Sequence, residues 1–320
     1  MKSLPILYIV VPCYNEEEAL PLSAPVFRKK LGDLIDAGAI APESRIVLVD
    51  DGSKDGTILA LRRLAGADSH VRYLSFSRNF GKEAAMYAGL QAARGDYVSI
   101  MDVDLQDPPS MLPELLGCVR NEGYDCAAVR RVTRSGEPRI RSFFARAFYK
   151  IVNRISRTEI VDGARDYRVM TRQMVDSILE ITEVNRFSKG IFSWVGYNTK
   201  WFETENVQRS AGKTKWSFFK LLVYALDGVI AFSTVPLAIS SILGLLFCVI
   251  SFLAIIFVIV RQLVWGGSAF GWPSLVCIIL FLTGIQLFCI GILGQYIAKI
   301  HMEVKDRPIY IVRERGGGDD

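Results

Sequence analysis

The sequence predicts an α/β protein: a Rossmann-like, doubly wound and mainly parallel sheet, followed by interfacial amphipathic helices and a two-helix transmembrane hairpin. Three observations predict it. Short apolar runs alternate with helical segments through the first 130 residues, two long C-terminal stretches carry no charge, and polar residues gather where the predicted strands end. Repeated βα units of this length imply a parallel sheet. Such sheets bind ligands outside the carboxyl ends of their strands.

In chain order, ILYIVV (6–11) is a strand ended by Pro12, and Glu16 to about Asp36 is a helix. Its acidic first turn suits the helix dipole. RIVLVDD (45–51) is the next strand, followed by Gly52-Ser53 and a helix from Asp55. VRYLSF (71–76) is the third, with a helix over 81–93. Then GDYVSIMDVDLQDPP (95–109) runs from an apolar strand into Asp102, Asp104 and Asp107, with no lysine or arginine beside them in sequence. A helix near 109–121 and a strand DCAAV (125–129) follow.

Residues 141–157 place Phe144, Phe148, Val152 and Ile155 at helical spacing, beside a stripe of Arg146, Lys150 and Arg154. A basic amphipathic helix of this kind lies on an anionic membrane surface; the alternative is a domain-packing helix with solvated charges. WSFFKLLVYAL (216–226) reads as a second interfacial helix. No charged residue lies between Asp227 and Arg261, or between Arg261 and Lys299. Each gap exceeds the ~20 apolar residues that cross a bilayer, giving spans of about 236–260 and 273–298. Two buried helices of a soluble core are the alternative. Gly284, Gly291, Gly294 and Ala298 fall near one face of the second span, which suits helix packing within or between subunits and a homo-oligomer.

Hydrophobic residues make up 51% of the chain, and mean hydropathy is +0.27. Arg209, Lys213, Lys215 and Lys220 precede the first span, five basic residues follow the second, and the tip has only Arg261. That bias puts both termini in the cytoplasm. Leu4–Val11 is too short for a signal peptide. The six cysteines lack metal-like spacing and are expected to be reduced. Net charge is +5, yet residues 130–157 hold nine basic residues and one acidic, so an anion should face that interval. Nucleic acid is not an expected partner. The division follows as 1–135 for the doubly wound core, 136–228 for the rest of that domain with its interfacial helices, 229–299 for the hairpin and 300–320 for a cytoplasmic tail, disordered beyond Gly316.

If the strand continues through Asp104, Asp102 and Asp104 share a face. Two like charges there call for a cation, and Mg²⁺ is commonly held by one or two carboxylates plus a substrate's phosphates. By spacing alone, capping aspartates on a solvated loop fit as well. AGKT (211–214) is not a phosphate-binding loop, because Val207 stands where that motif needs glycine.

PCYNEEEA (12–19), VDDGSKDGT (49–57), SFSRNFGKEAAMYAGL (75–90) and DVDLQDPP (102–109) resemble the membrane-bound family 2 glycosyltransferases of the polyprenyl-phosphate type. RFSKGIFSWVG (186–196), FSTVPL (232–237) and the 271–297 stretch resemble the bactoprenol glucosyltransferases most. The resemblance implies a GT-A catalytic domain that moves glucose from UDP-glucose to undecaprenyl phosphate at the bacterial inner membrane, with Mg²⁺ or Mn²⁺. It implies that Pro12, Tyr14, Asn15 and Glu16 line the nucleotide pocket, with Asp51 on the uracil side and Lys82 nearby. It makes Asp102 and Asp104 the metal-site pair, Asp104 the direct ligand, and sets Gln106 beside the diphosphate. Arg131, Arg141, Arg209 and Lys215 match acceptor-phosphate positions. Asp166 matches a functional aspartate, with Asp162 in reserve because Arg165 departs from the family's glycine. A different sugar, a non-catalytic nucleotide-sugar sensor and a processive synthase are the alternatives; the chain has no QxxRW for the last.

Overall fold

The computed structural model describes residues 3–132, 153, 161–204, 235–265 and 271–318. Eight strands form one sheet: β1 (Leu7–Cys13), β2 (Arg45–Asp50), β3 (Val71–Phe76), β4 (Tyr97–Ile100), β5 (Cys126–Arg131), β6 (Ala164–Thr171), β7 (Thr199–Thr204) and β8 (Val312–Gly316). Their spatial order is β7-β5-β6-β4-β1-β2-β3-β8. The parallel core is as predicted: β1 pairs with β2 and β4, and β2 with β3. β6 inserts antiparallel between β4 and β5, β7 runs parallel to β5, and β8 closes the far edge antiparallel to β3. These last three strands are not in the sequence reading.

Every residue of β1 is buried, as expected of a central parallel strand covered on both faces. On one face Leu7, Ile9 and Val11 pack with Leu20, Phe27 and Leu31 of α1 (Leu20–Asp36), Leu61 of α2 (Thr57–Ala67), and Leu112 and Leu116 of α4 (Leu112–Asn121). On the other, Tyr8 and Val10 meet Ala85 and Ala88 of α3 (Lys82–Ala92), Met174 and Ile178 of α5 (Arg172–Glu180), and Phe192 of α6 (Ser188–Trp194). Truncating a side chain such as Phe27 to alanine would cost roughly 3–5 kcal/mol.

The first helix starts at Leu20, not Glu16, and has no acidic residue in its first turn. Pro21 fits a first turn, where its missing N–H costs nothing. The glutamates are held elsewhere: Glu16 N–H donates to Thr57 Oγ1 at 2.9 Å, and Glu17 Oε2 accepts from Gly56 N–H at 2.9 Å. The 12–19 segment is therefore sewn to the loop before α2.

Two long helices follow, α7 (Val235–Trp265) and α8 (Trp272–Val304), of 31 and 33 residues. At 1.5 Å per residue each exceeds the ~30 Å bilayer core. They touch through Phe247 and Phe281, whose rings meet edge to face at 6.1 Å. Leu245, Phe252, Phe257, Leu287 and Phe288 are exposed. Among the described residues one segment, Phe281–Val304, is long and apolar enough to cross a membrane, and the apolar part of α7, Val235–Phe247, is shorter. The expected pair of spans is thus reduced to one by this measure. Among the described residues a Cβ at Gly284, Gly291 or Gly294 would meet nothing within 4 Å. The amphipathic stretches 141–157 and 216–226 lie outside the described residues, apart from Asn153.

The tail is not loose as far as Gly316. Lys299 Nζ donates to Asn185 Oδ1 at 2.8 Å, and the Glu303 carboxylate accepts from the N–H groups of Val184 and Asn185 at 3.0 and 3.3 Å. Tyr310 stacks on Phe76 at 4.9 Å, and Arg62 forks onto Glu314 at 2.7 and 2.6 Å. β8 therefore returns the end of the chain to the sheet.

Candidate active site

The polar strand ends meet along one edge. After β1, Asn15 adopts a left-handed conformation (φ 54°); its N–H donates to Ser53 Oγ, and its Oδ1 accepts from Lys54 N–H, both at 2.9 Å. Tyr14 beside it is exposed and Pro12 is buried. Asp50 accepts from Ser53 N–H at 2.9 Å and from the Ser75 hydroxyl at 2.6 Å. Asp51 is turned toward the β3–α3 loop, accepting from Phe80 N–H at 2.6 Å and Gly81 N–H at 2.9 Å. Burial pushes its carboxyl up, against those two hydrogen bonds.

β4 stops at Ile100 rather than continuing through Asp104, so strand alternation does not place the acidic pair. Residues 101–106 form a turn with Leu105 left-handed (φ 54°), and Asp104 Oδ1 accepts from Gln106 N–H at 3.1 Å. Nor are the carboxylates without cations. Lys82, the first residue of α3, puts its Nζ 2.6 Å from Asp102 Oδ1 and 2.5 Å from Asp166 Oδ2. Arg165 Nε lies 2.8 Å from Asp107 Oδ1, and its Nη2 donates to Gln106 Oε1 at 3.3 Å. The neutralising charges come from α3 and β6, far away in sequence.

Asp166 is the aspartate in this cluster; Asp162 sits exposed in the turn before β6. Burial alone would raise the Asp166 carboxyl, but Lys82, and Lys189 after it, hold it well below the usual carboxylate range. Lys82 is held above its ordinary value: burial opposes its charge, and Asp102 and Asp166 outweigh that. Asp107 is pushed up by burial, with Arg165 opposing. Behind Lys82, Glu83 accepts from both the N–H and the hydroxyl of Ser188, which joins α3 to α6.

Among the described residues no three His, Cys, Asp or Glu side chains are gathered closely enough to hold a metal by themselves. The donor set is nonetheless all hard oxygen, and buried Asp107 Oδ2 has no hydrogen-bond partner there. That fits Mg²⁺ or Mn²⁺ completed by a ligand's own oxygens.

The structure brings Lys82, Asp102, Asp104, Gln106 and Asp166 together, with Pro12, Tyr14, Asn15, Glu16 and Asp51 at the neighbouring ends of β1 and β2. Arg131 ends β5, one strand beyond β6, its N–H bonded to Gly163 O at 2.9 Å. Arg141, Arg209 and Lys215 lie outside the described residues. The sequence reading missed Arg165 and Glu83 as members of the network, and Lys189 altogether. Its one available signal was that three aspartates in six residues need cations from somewhere.

The profile described as glycosyl transferase family 2 matches residues 8–179. A bactoprenol glucosyl transferase of Shigella phage SfII is 43% identical over 97% of this chain and 98% of its own. The putative glycosyltransferase CsbB of Bacillus subtilis is 38% identical over 97% and 92%. Among solved structures, glucosyl-3-phosphoglycerate synthase from Mycobacterium tuberculosis with Mn²⁺, UDP-glucose and phosphoglyceric acid is 18% identical over 71% of this chain and 78% of that one, with a TM-score of 0.47.

Proposed function

We propose that this chain, which belongs to glycosyl transferase family 2, transfers glucose from UDP-glucose to undecaprenyl phosphate with inversion. The product is a polyprenyl-phosphate sugar used to modify cell-envelope glycans. The observation that carries the chemistry is the junction of Lys82 with Asp102 and Asp166 at the carboxyl edge of the sheet. The choice of glucose and bactoprenol is supported by the names of relatives that match nearly end to end.

In this reading an oxygen of the lipid phosphate forms the new bond to the anomeric carbon. The bond from that carbon to UDP breaks, and its electron pair leaves on the diphosphate. Attack from the far face turns an α-donor into a β-product. Pro12, Tyr14, Asn15 and Glu16 form the nucleotide wall, and Asp51 fixes the β3–α3 loop that leads into Lys82 at the start of α3. Gln106, oriented by Arg165, faces the diphosphate. Asp104 and Asp102 would hold Mg²⁺ or Mn²⁺, which supplies Lewis-acid stabilisation of the leaving diphosphate. The acceptor phosphate is already ionised at neutral pH, so no general base is needed. Asp166 suits this: a carboxylate held below its usual range by Lys82 is a poor proton acceptor and acts by positioning Lys82. Arg131, with Arg141, Arg209 and Lys215, meets the lipid phosphate.

Both long helices cross the inner membrane with the catalytic domain and termini in the cytoplasm, and the glycine face of α8 pairs copies of the chain. The test offers a panel of nucleotide sugars and undecaprenyl phosphate to the purified protein with Mg²⁺ or Mn²⁺. UDP-glucose should support transfer above all others. Nucleotide-sugar binding without turnover would refute the reading.

A further inference from the structure

A cavity lies beside the ion-pair cluster, over the outer part of the sheet. Its volume is about 240 Å³, and Arg168, Lys189, Phe192, Ser193, Thr199 and Trp201 are among its walls. Arg168 of β6 pairs with Ala128 of β5, and Ala128 pairs with Trp201 of β7, so Arg168 and Trp201 stand at the same level of the sheet on either side of β5, and both are walls of the cavity. Ala164 and Arg168 line it from the same face of β6 as Asp166, two residues to either side.

The walls carry two cations and no carboxylate. Arg168 is fully buried, its guanidinium lying 3.6 Å from the centre of the Phe192 ring and, among the described residues, donating to the main-chain oxygens of Arg165 (2.8 Å) and Asp166 (3.2 Å). Those two bonds use two of its five N–H groups, and among the described residues it forms no ion pair. Lys189 makes no hydrogen bond or ion pair among the described residues, although it is close enough to depress the Asp166 carboxyl. A hollow with two cations, three hydroxyls (Ser193, Tyr197 and Thr199) and an indole wall is built for an anion with an apolar continuation. It is smaller than the ~300–1,000 Å³ typical of sites for drug-sized ligands. A phosphate head and the first carbons of its alcohol fit it; a nucleotide sugar does not. β6 begins at its rim with Ala164, which pairs with Arg130 near the end of β5.

We propose that this cavity receives the phosphate monoester of the lipid acceptor, with Lys189 as the side chain that contacts the phosphate and buried Arg168 as a fixed positive wall. The proposal rests on the transferase reading above and adds to it a contact residue on α6, outside the matched 8–179 segment. It separates acceptor binding over β5–β7 from donor binding over β1–β4.

The experiment uses the full chain in detergent and compares wild type, Lys189→Met and Lys189→Arg. Steady-state transfer should show the KM for undecaprenyl phosphate rising at least about tenfold in Lys189→Met, with the KM for UDP-glucose within about twofold and most of the loss recovered by Lys189→Arg. In parallel, farnesyl phosphate, farnesol and inorganic phosphate are titrated by calorimetry. Farnesyl phosphate should bind wild type, weaken about tenfold or more in Lys189→Met, and outbind both farnesol and free phosphate. An unchanged acceptor KM, or a donor KM that rises in step, overturns the proposal. Inorganic phosphate binding as tightly as farnesyl phosphate, with the same dependence on Lys189, also overturns it in favour of a free-phosphate site. If wild type transfers nothing while farnesyl phosphate still binds through Lys189, the reaction assignment falls and the cavity assignment stands.

Discussion

Lys82 Nζ stands 2.5 Å from Asp166 Oδ2, joining the first turn of α3 to a strand 84 residues further along the chain. The same ammonium group reaches Asp102, so one side chain holds the turn after β4 against β6. This contact gives the acidic edge of the sheet its shape.

Its pH dependence has a definite sign. The Asp166 carboxyl is lower in the folded protein than the unfolded value of about 3.9. Its stabilisation is therefore complete above that value and is lost as pH falls toward the folded one. Asp166→Asn should lower stability at pH 7 by about 1–3 kcal/mol, less than a fully buried pair because Lys82 is half exposed. Denaturant unfolding at pH 7 and pH 3.5 should show the gap from wild type narrowing in acid. A gap that widens there contradicts the assignment.

Asp104→Asn should cut transfer by about 100-fold or more at saturating substrates while moving the melting temperature by only about 2 °C, since Asp104 lies on a partly exposed turn. The check is transfer assayed with and without added Mg²⁺ or Mn²⁺. Near-wild-type transfer by this variant would remove Asp104 from the metal site.

Gly52 has φ +65°, and a Cβ there would lie 2.3 Å from the carbonyl carbon of Arg78. Gly52→Ala should therefore destabilise the protein by about 2–4 kcal/mol and push the β3–α3 loop off Asp51. Thermal melting and UDP titration read both effects; a stable variant with normal UDP affinity would show that the loop yields freely.

Glu303 ties the end of α8 to the main chain of Val184 and Asn185, and Ser188 just beyond is held by Glu83 beside Lys82. Hydrogen bonds to a charged acceptor contribute about 1.5–3 kcal/mol. Glu303→Ala should speed amide exchange over 184–189 and lower kcat about three- to tenfold, with the KM for UDP-glucose unchanged. Exchange confined to α8 would show that this helix and the site are not coupled.

The sequence alone settled the features that repeat locally. Apolar runs and their helices placed β1 to β5 within a few residues, and uninterrupted apolarity marked α7 and α8. The DVD motif marked the edge of the sheet where Lys82, Asp102 and Asp166 meet. Periodicity is a short-range property, so a chain can display it without folding. What only the tertiary structure decided is everything set by neighbours distant in sequence. β6 pairs antiparallel with two strands that no local pattern links to it, and β8 returns from beyond a membrane-length helix. The acidic turn is neutralised by Lys82 and Arg165, and Arg168 and Trp201, from different strands, meet in the walls of one cavity. Charge pairing and packing depend on separation in space, and only the folded backbone sets those separations.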